Sequence, residues 1–183
     1  MLESPKALST HEVKIEGMST MDNQQERSLL EKIALDSYLA AIVDGEGYLA
    51  VVMNQYKRPS RGNPRPQLMP RMSIGSTSPG IIEKSKRALD QYTGSLIQDR
   101  ILPSGKLFQT IHVVGAKRLQ AVLPNIIPHL TWKKDNAELV MEFIESRLSK
   151  ERNVTYNERE WEIVSLTKNR SSETTRETPT QVG

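Results

Sequence analysis

Glu46 stands between two glycines at the end of an apolar stretch, Leu39-Ala40-Ala41-Ile42-Val43-Asp44-Gly45-Glu46-Gly47. A carboxylate at the end of a helix, rather than on its side, can join chemistry that needs clustered negative charge. Ala40, Ala41 and Gly45 are small, so a second helix could approach the backbone closely. Two such helices side by side would bring two carboxylates together at the base of the pair. Carboxylates that close disfavour each other's charge unless a divalent cation neutralises them. Oxygen donors suit magnesium, whose shell is completed by waters and substrate phosphates. Gly45 and Gly47 can adopt backbone angles closed to other residues, which suits a sharp turn from helix to strand. The blander reading of the same residues is a buried helix ending in a glycine-rich turn, with Glu46 merely solvated.

Charge is distributed unevenly around this segment. Residues 1–46 hold 4 basic and 9 acidic side chains, residues 47–134 hold 14 and 3, and residues 135–183 hold 7 and 10. The formal net charge of +3 thus hides a central segment of +11. From Gly47 to Ile82 no acidic residue occurs, while Lys57, Arg58, Arg61, Arg65 and Arg71 are basic. One-sided charge over a contiguous segment is the footprint of a nucleic-acid-binding surface, although solvated basic loops leave the same trace.

The elements that must position these residues can be read from periodicity. A helix is expected from Gln25 to Val43, with Leu30, Ile33, Ala34, Ser37, Tyr38 and Ala41 on one stripe. A strand follows from Tyr48 to Tyr56, with Leu49, Val51 and Met53 toward the core and Tyr48, Ala50, Val52, Asn54 and Tyr56 on the other face. Pro59, Gly62, Pro64 and Pro66 then make a basic loop. A second strand spans Gln67 to Ser76, burying Met72 and Ile74 and exposing Arg71 and Ser73. Ser78-Pro79 opens a helix that Gly94 stops. Two strands, Ser95–Leu102 and Leu107–Val114, flank a Pro103-Ser104-Gly105 turn. A short helix, Lys117–Leu123, ends at Pro124, and a long one runs from Asp135 to Lys150. Asn157 and Glu160 form a capping box for a final helix carrying Trp161 and Val164.

The nonapeptide resembles the signature of the LAGLIDADG homing endonucleases, and the αββαββα order is that family's topology. The resemblance covers about Leu30 to Leu148. It implies an α+β fold in which four antiparallel strands form a curved, DNA-binding saddle backed by helices. It implies site-specific double-strand cleavage of DNA by metal-dependent phosphodiester hydrolysis. Glu46 matches the metal-binding carboxylate, so Glu46 and Gly45 are the metal-site residues and Mg2+, or another divalent ion such as Mn2+, the cofactor. Lys133, with Lys134 as the close alternative, matches a lysine that polarises solvent near the scissile phosphate. Ser76 falls at a strand-end position that helps order catalytic water, often glutamine in the family. Ala41 replaces the usual third-position glycine, which would push paired helices slightly apart, and Glu46 replaces the commoner aspartate. Asp44 matches the other motif acid, usually structural.

Only one copy of the nonapeptide is present. Single-motif members of the family act as homodimers, so Ser37, Ala40, Ala41 and Asp44 are expected at a two-fold contact. The resemblance and the strand alternation together make Asn54, Tyr56, Gln67, Arg71, Ser73, Gln98, Arg100, Thr110 and His112 the base readers. Lys57, Arg58, Arg61, Arg65, Lys117 and Arg118 would hold phosphates. The partners implied are a pseudo-palindromic DNA duplex and a second copy, with intron RNA added in the alternative of a non-cleaving maturase or regulator. A further alternative is a basic α+β adaptor whose Gly-Glu-Gly turn is accidental.

Other chemistries find little support. The chain has no cysteine, hence no disulfide framework or thiolate metal site. His11, His112 and His129 lack metal-ligand spacing, and no phosphate-binding loop ending in Lys-Ser/Thr occurs. No apolar run of about 18 residues and no signal pattern is present. The expectation is a soluble intracellular protein, cytoplasmic in a prokaryote or phage host, or organellar. Residues 1–24 are expected as a partly disordered extension, 25–168 as the domain and 169–183 as a disordered tail.

Overall fold

The computed structural model describes residues 19–54, 66–150 and 154–173. Helix α1 (Ser19–Glu46) leads into strand β1 (Gly47–Asn54), followed by β2 (Gln67–Ser76), α2 (Pro79–Asp90), β3 (Leu96–Ile101), β4 (Leu107–Val114), α3 (Ala116–Ile126), α4 (Lys134–Leu148) and α5 (Glu158–Glu173). A 3-10 turn, Ile127–His129, links α3 to α4. The expected αββαββα order therefore holds, with the two expected helices, α4 and α5, after it. The chain divides into two compact units, residues 1–33 and 34–183. Within the first, Leu29, Leu30 and Ile33 are exposed. The second contains the whole sheet.

The four strands form one antiparallel sheet in the order β1-β2-β4-β3. Period-two alternation sorts its side chains. Leu49, Met72, Ile74, Ile111 and Val113 are buried beneath the helices, in one cluster with Leu39 and Val43 of α1, Leu89 of α2, Leu123 of α3, Phe143 of α4 and Ile163 of α5. Met53, expected in the core, is half exposed, because it pairs with Leu68 at the end of the sheet.

Helix α1 corrects the expected burial stripe. Asp36, Leu39, Ala40 and Val43 face the core, whereas Leu30, Ile33, Ala34 and Ala41 are exposed. The helix carries two apolar stripes, and periodicity alone does not tell the inward one from the outward one. Two further helices outrun their sequence limits. Pro124 lies inside α3, whose last turn continues to Ile126, and α5 passes Lys168 to reach Glu173. A proline near a helix end forfeits one ladder bond without stopping the turn that follows. No helix among the described residues is long and apolar enough to cross a membrane.

The edge strand β1 is covered by side chains. The Val51 N–H donates to Thr167 Oγ1 of α5 at 3.2 Å, and Asn136 Nδ2 of α4 donates to the Leu49 carbonyl at 3.4 Å. On β2 the Leu68 N–H donates to the Tyr156 hydroxyl at 2.9 Å. The expected capping box forms fully. Glu160 N–H donates to Asn157 Oδ1 at 2.8 Å and Asn157 N–H to Glu160 Oε2 at 2.9 Å. Burial alone would raise the Glu160 pKa, but Lys150, the Asn157 N–H and Ser146 hold it below the usual carboxylate range.

The turn from α1 into β1 needs one of its two glycines. A Cβ on Gly47 would stand 2.6 Å from the Val43 carbonyl oxygen, while a Cβ on Gly45 would meet nothing within 4 Å. Neither has a positive φ, so the expected use of special backbone angles is corrected: close approach, not conformational freedom, fixes Gly47. Gly47→Ala should cost about 1–3 kcal/mol, as overpacking does, and Gly45→Ala should stay within about 0.5 kcal/mol. Urea denaturation of the two variants, with circular dichroism as the signal, checks the contrast.

Candidate active site and nucleic-acid interface

The end of α1 and the start of α4 hold each other. The Asp44 carboxylate accepts the backbone N–H of Thr131 at 2.7 Å and that of Lys133 at 2.8 Å. In return the Lys133 ammonium donates to the Val43 carbonyl at 2.9 Å and the Asp44 carbonyl at 2.5 Å. An anion thus satisfies free N–H groups where α4 begins, and a cation satisfies free carbonyls where α1 ends, each with the favourable sign for the helix dipole. Lys133 is only 6% exposed. Burial lowers its pKa, while the charges of Asp44 and Glu46 pull the other way.

Glu46, the last residue of α1, is exposed and has no hydrogen bond or ion pair among the described residues. Its carboxylate is therefore available as an oxygen ligand. No three His, Cys, Asp or Glu side chains gather into a metal cluster among the described residues. One chain thus supplies one free carboxylate, with Gly45 exposed beside it. That set suits a hard cation whose remaining ligands come from waters, phosphates or a second copy.

At this site two of the three N–H donors of the Lys133 ammonium go to helix carbonyls, which leaves one. The exposed neighbour is Lys134. Ser76 is also engaged: its hydroxyl accepts the Ser78 N–H at 3.1 Å in the turn before α2. It pairs with Gln109, on the sheet face opposite Arg71 and Ser73. Strand alternation turns Ser76 away from the polar face, and its hydroxyl keeps its own hydrogen to donate.

That polar face gathers most of the expected readers. The register aligns Asn54 with Gln67, Arg71 with Ala50 and Val114, Ser73 with Tyr48 and His112, Thr110 with Gly75 and Gln98, and Arg100 with Phe108. All lie on the side away from the helices. Arg71 Nη2 contacts His112 Nδ1 at 2.9 Å, and His112 Nε2 contacts Gln98 Oε1 at 3.3 Å. Burial lowers the His112 pKa, and Arg71 lowers it further. Burial raises that of Tyr48, with Arg71 opposing. Lys117 and Arg118 are exposed in the first turn of α3. Tyr56, Lys57, Arg58, Arg61 and Arg65 lie outside the described residues.

The helix-face residues divide. Ala41 is exposed, but Ala40 is fully buried in the chain's own core, which corrects its expected place at a contact between copies. Asp44 is committed to α4, and Ser37 Oγ lies 3.3 Å from His129 Nδ1. The close packing of Phe108 on Gly75, where a Cβ would stand 2.5 Å from the ring, was not read from the sequence. A glycine inside a strand pattern was the available signal.

Replacing Lys133 by methionine leaves two helix carbonyls without a charged donor and should cost about 1.5–3 kcal/mol. Lys134→Met should leave stability within about 0.5 kcal/mol. Equal denaturation midpoints for the two variants would contradict the clasp.

No family model and no curated protein matches the sequence. Solved structures do. The homing endonuclease I-CvuI, in complex with its target in the presence of Ca, is similar over 84% of this chain and 89% of its own, with a TM-score of 0.55 and 16% identity. An archaeal intron-encoded homing endonuclease complexed with DNA is similar over 80% and 86%, with a TM-score of 0.50 and 16% identity. The group I intron-encoded homing endonuclease I-CeuI, also complexed with DNA, is similar over 70% of each chain, with a TM-score of 0.50 and 9% identity. The likeness is one of fold.

Proposed function

We propose that this chain, which has the LAGLIDADG homing-endonuclease fold, is a homodimeric, site-specific DNA endonuclease that hydrolyses phosphodiester bonds on both strands. One observation carries the reading. Glu46, the acidic side chain of the nonapeptide without a hydrogen bond among the described residues, stands at the helix end with Lys133 and Asp44 fixing the backbone behind it.

Glu46, with the Gly45 carbonyl and the matching pair from a second copy, would hold a divalent ion, Mg2+ or Mn2+. When bound, such an ion supplies charge stabilisation at the phosphate and a water that is nucleophilic at neutral pH. Lys133 secures the end of α1 and so fixes where Glu46 stands. Lys134 is the exposed ammonium nearest in sequence. Arg71, Ser73, Gln98, Arg100, Thr110 and Gln67 face the major groove, and Lys117 and Arg118 hold phosphates. The outward Ala41 lets two α1 helices approach closely, and two copies would join two polar sheet faces into one long, pseudo-palindromic site.

A non-cleaving nucleic-acid binder, such as an intron maturase or regulator, is the second reading. The commitment of two of the three Lys133 ammonium hydrogens to helix carbonyls favours it, because only one is then left to polarise water.

Glu46→Gln keeps the shape and removes the charge. It should abolish cleavage of a target selected from randomised duplexes in magnesium, with binding nearly unchanged, since affinity comes mainly from phosphate and base contacts. Cleavage by the variant at the parental rate would refute the metal site, and binding without cleavage by the parental chain would favour the regulator. Light scattering should give a mass near twice 20.7 kDa, and Ala41→Glu should lower it toward that of one chain. A parental monomer, free and with DNA, would refute the dimer.

A further inference from the structure

Arg71, His112 and Gln98 come from three neighbouring strands, β2, β4 and β3, and form one chain of hydrogen bonds across the polar face. The direction of that chain is fixed by chemistry. A guanidinium has only donors, so His112 Nδ1 must accept from Arg71. The neutral imidazole then carries its proton on Nε2, which donates to Gln98. A donor selects the amide oxygen, so the Gln98 amide nitrogen is turned to the free side. It has no partner among the described residues.

The outward result is that Arg71 and Gln98 between them present donors without an acceptor. Arg71 Nε is buried and unpartnered, and one Nη2 hydrogen is spent on His112, so the hydrogens left to Arg71 are on its two Nη atoms. Gln98 adds its NH2 group from an exposed position on β3. His112 itself is 9% exposed and has both ring nitrogens engaged, so it offers nothing to a ligand.

On the reading that this face binds DNA, we infer that Arg71 and Gln98 form a donor-only unit that selects guanine, and that His112 is a positioning residue that sets this preference without touching a base. Guanine presents O6 and N7 as paired acceptors in the major groove, which suits a guanidinium that keeps at least one free hydrogen on each Nη atom. Cytosine presents an amino group there, adenine sets an amino group beside its N7 acceptor, and thymine offers one acceptor, O4, beside its methyl group, so only guanine gives two adjacent acceptors. His112, expected from its strand position to read a base, acts through Arg71 and Gln98 instead.

The test is selection of bound sequences from a random-duplex library by the full chain, at about pH 8, where imidazole is neutral. The parental chain should enrich guanine at one position of each half-site, and Arg71→Ala should lose that preference. His112→Leu, which keeps bulk and removes both ring nitrogens, should reduce the guanine preference about tenfold while binding to unselected duplexes at low salt stays within about twofold. His112→Gln, which keeps an acceptor and a donor, should restore most of it. Gln98→Glu retains the bond to His112 but replaces an outward donor by an acceptor. It should shift one selected position toward cytosine, whose N4 amino group is a donor. A guanine preference that survives His112→Leu, or no guanine preference in the parental chain, overturns this inference and leaves the endonuclease reading standing. Failure of the parental chain to bind any duplex at low salt overturns the endonuclease reading itself.

Discussion

The mutual hold between the end of α1 and the start of α4 is the contact on which the candidate site depends. Asp44 and Lys133 are 89 residues apart in sequence, yet each satisfies the backbone of the other's helix. Free carbonyls at a helix end and free N–H groups at a helix start are costly when shut away from water. Here two side chains of opposite sign meet both needs at once. The arrangement also separates the two acids of the nonapeptide by function. Asp44 is consumed by structure, while Glu46, two residues on, is left with an exposed carboxylate that has no hydrogen bond among the described residues. Gly47 completes the corner, since only a residue without a Cβ allows β1 to leave so near Val43.

The polar sheet face depends on the same corner. Strand β1 starts one residue after Glu46, so the register of Tyr48 with Ser73 and of Ala50 with Arg71 is set from the end of α1. A slip of one residue would turn every side chain of β1 to the other face. The buried side, Leu49 and Val51 against the helical core, holds that register. The small Ala50, paired with Arg71, leaves room on the polar side for the guanidinium to reach across toward His112.

Most of the architecture was legible because its signals are local. Strand alternation from Gln67 to Ser76 and from Leu107 to Val114 matched the observed strands. Ser78-Pro79 opened α2, and Asn157 with Glu160 formed the cap they were read as. What was not legible depends on which of two chemically equivalent options tertiary packing selects. Ala40 and Ala41 look alike in sequence, and one is core while the other is surface. Lys133 and Lys134 are adjacent lysines, and only the fold spends the first on the carbonyls of α1. Ser76 matched a site position by its place at a strand end, but the parity of β2 turned it to the other face. Hydrogen-bond direction along Arg71, His112 and Gln98 needs three strands in register, which no single stretch of sequence encodes.

Thr167 and Asn136, seated on the outer backbone of β1, constrain how copies of this chain can assemble. A bare strand edge is a template for another strand. Here the outward Val51 N–H and Leu49 carbonyl are already taken. A second copy therefore cannot extend the sheet by pairing along this stretch of β1, and a continuous sheet shared through that edge is disfavoured. Two copies brought together by their helices would keep separate sheets, each with its own curvature. The spacing between the two polar sheet faces would then be set by helix packing rather than by the 4.7–4.9 Å pitch of paired strands. Small changes in side-chain bulk on the outward face of α1 would retune that spacing without altering either sheet.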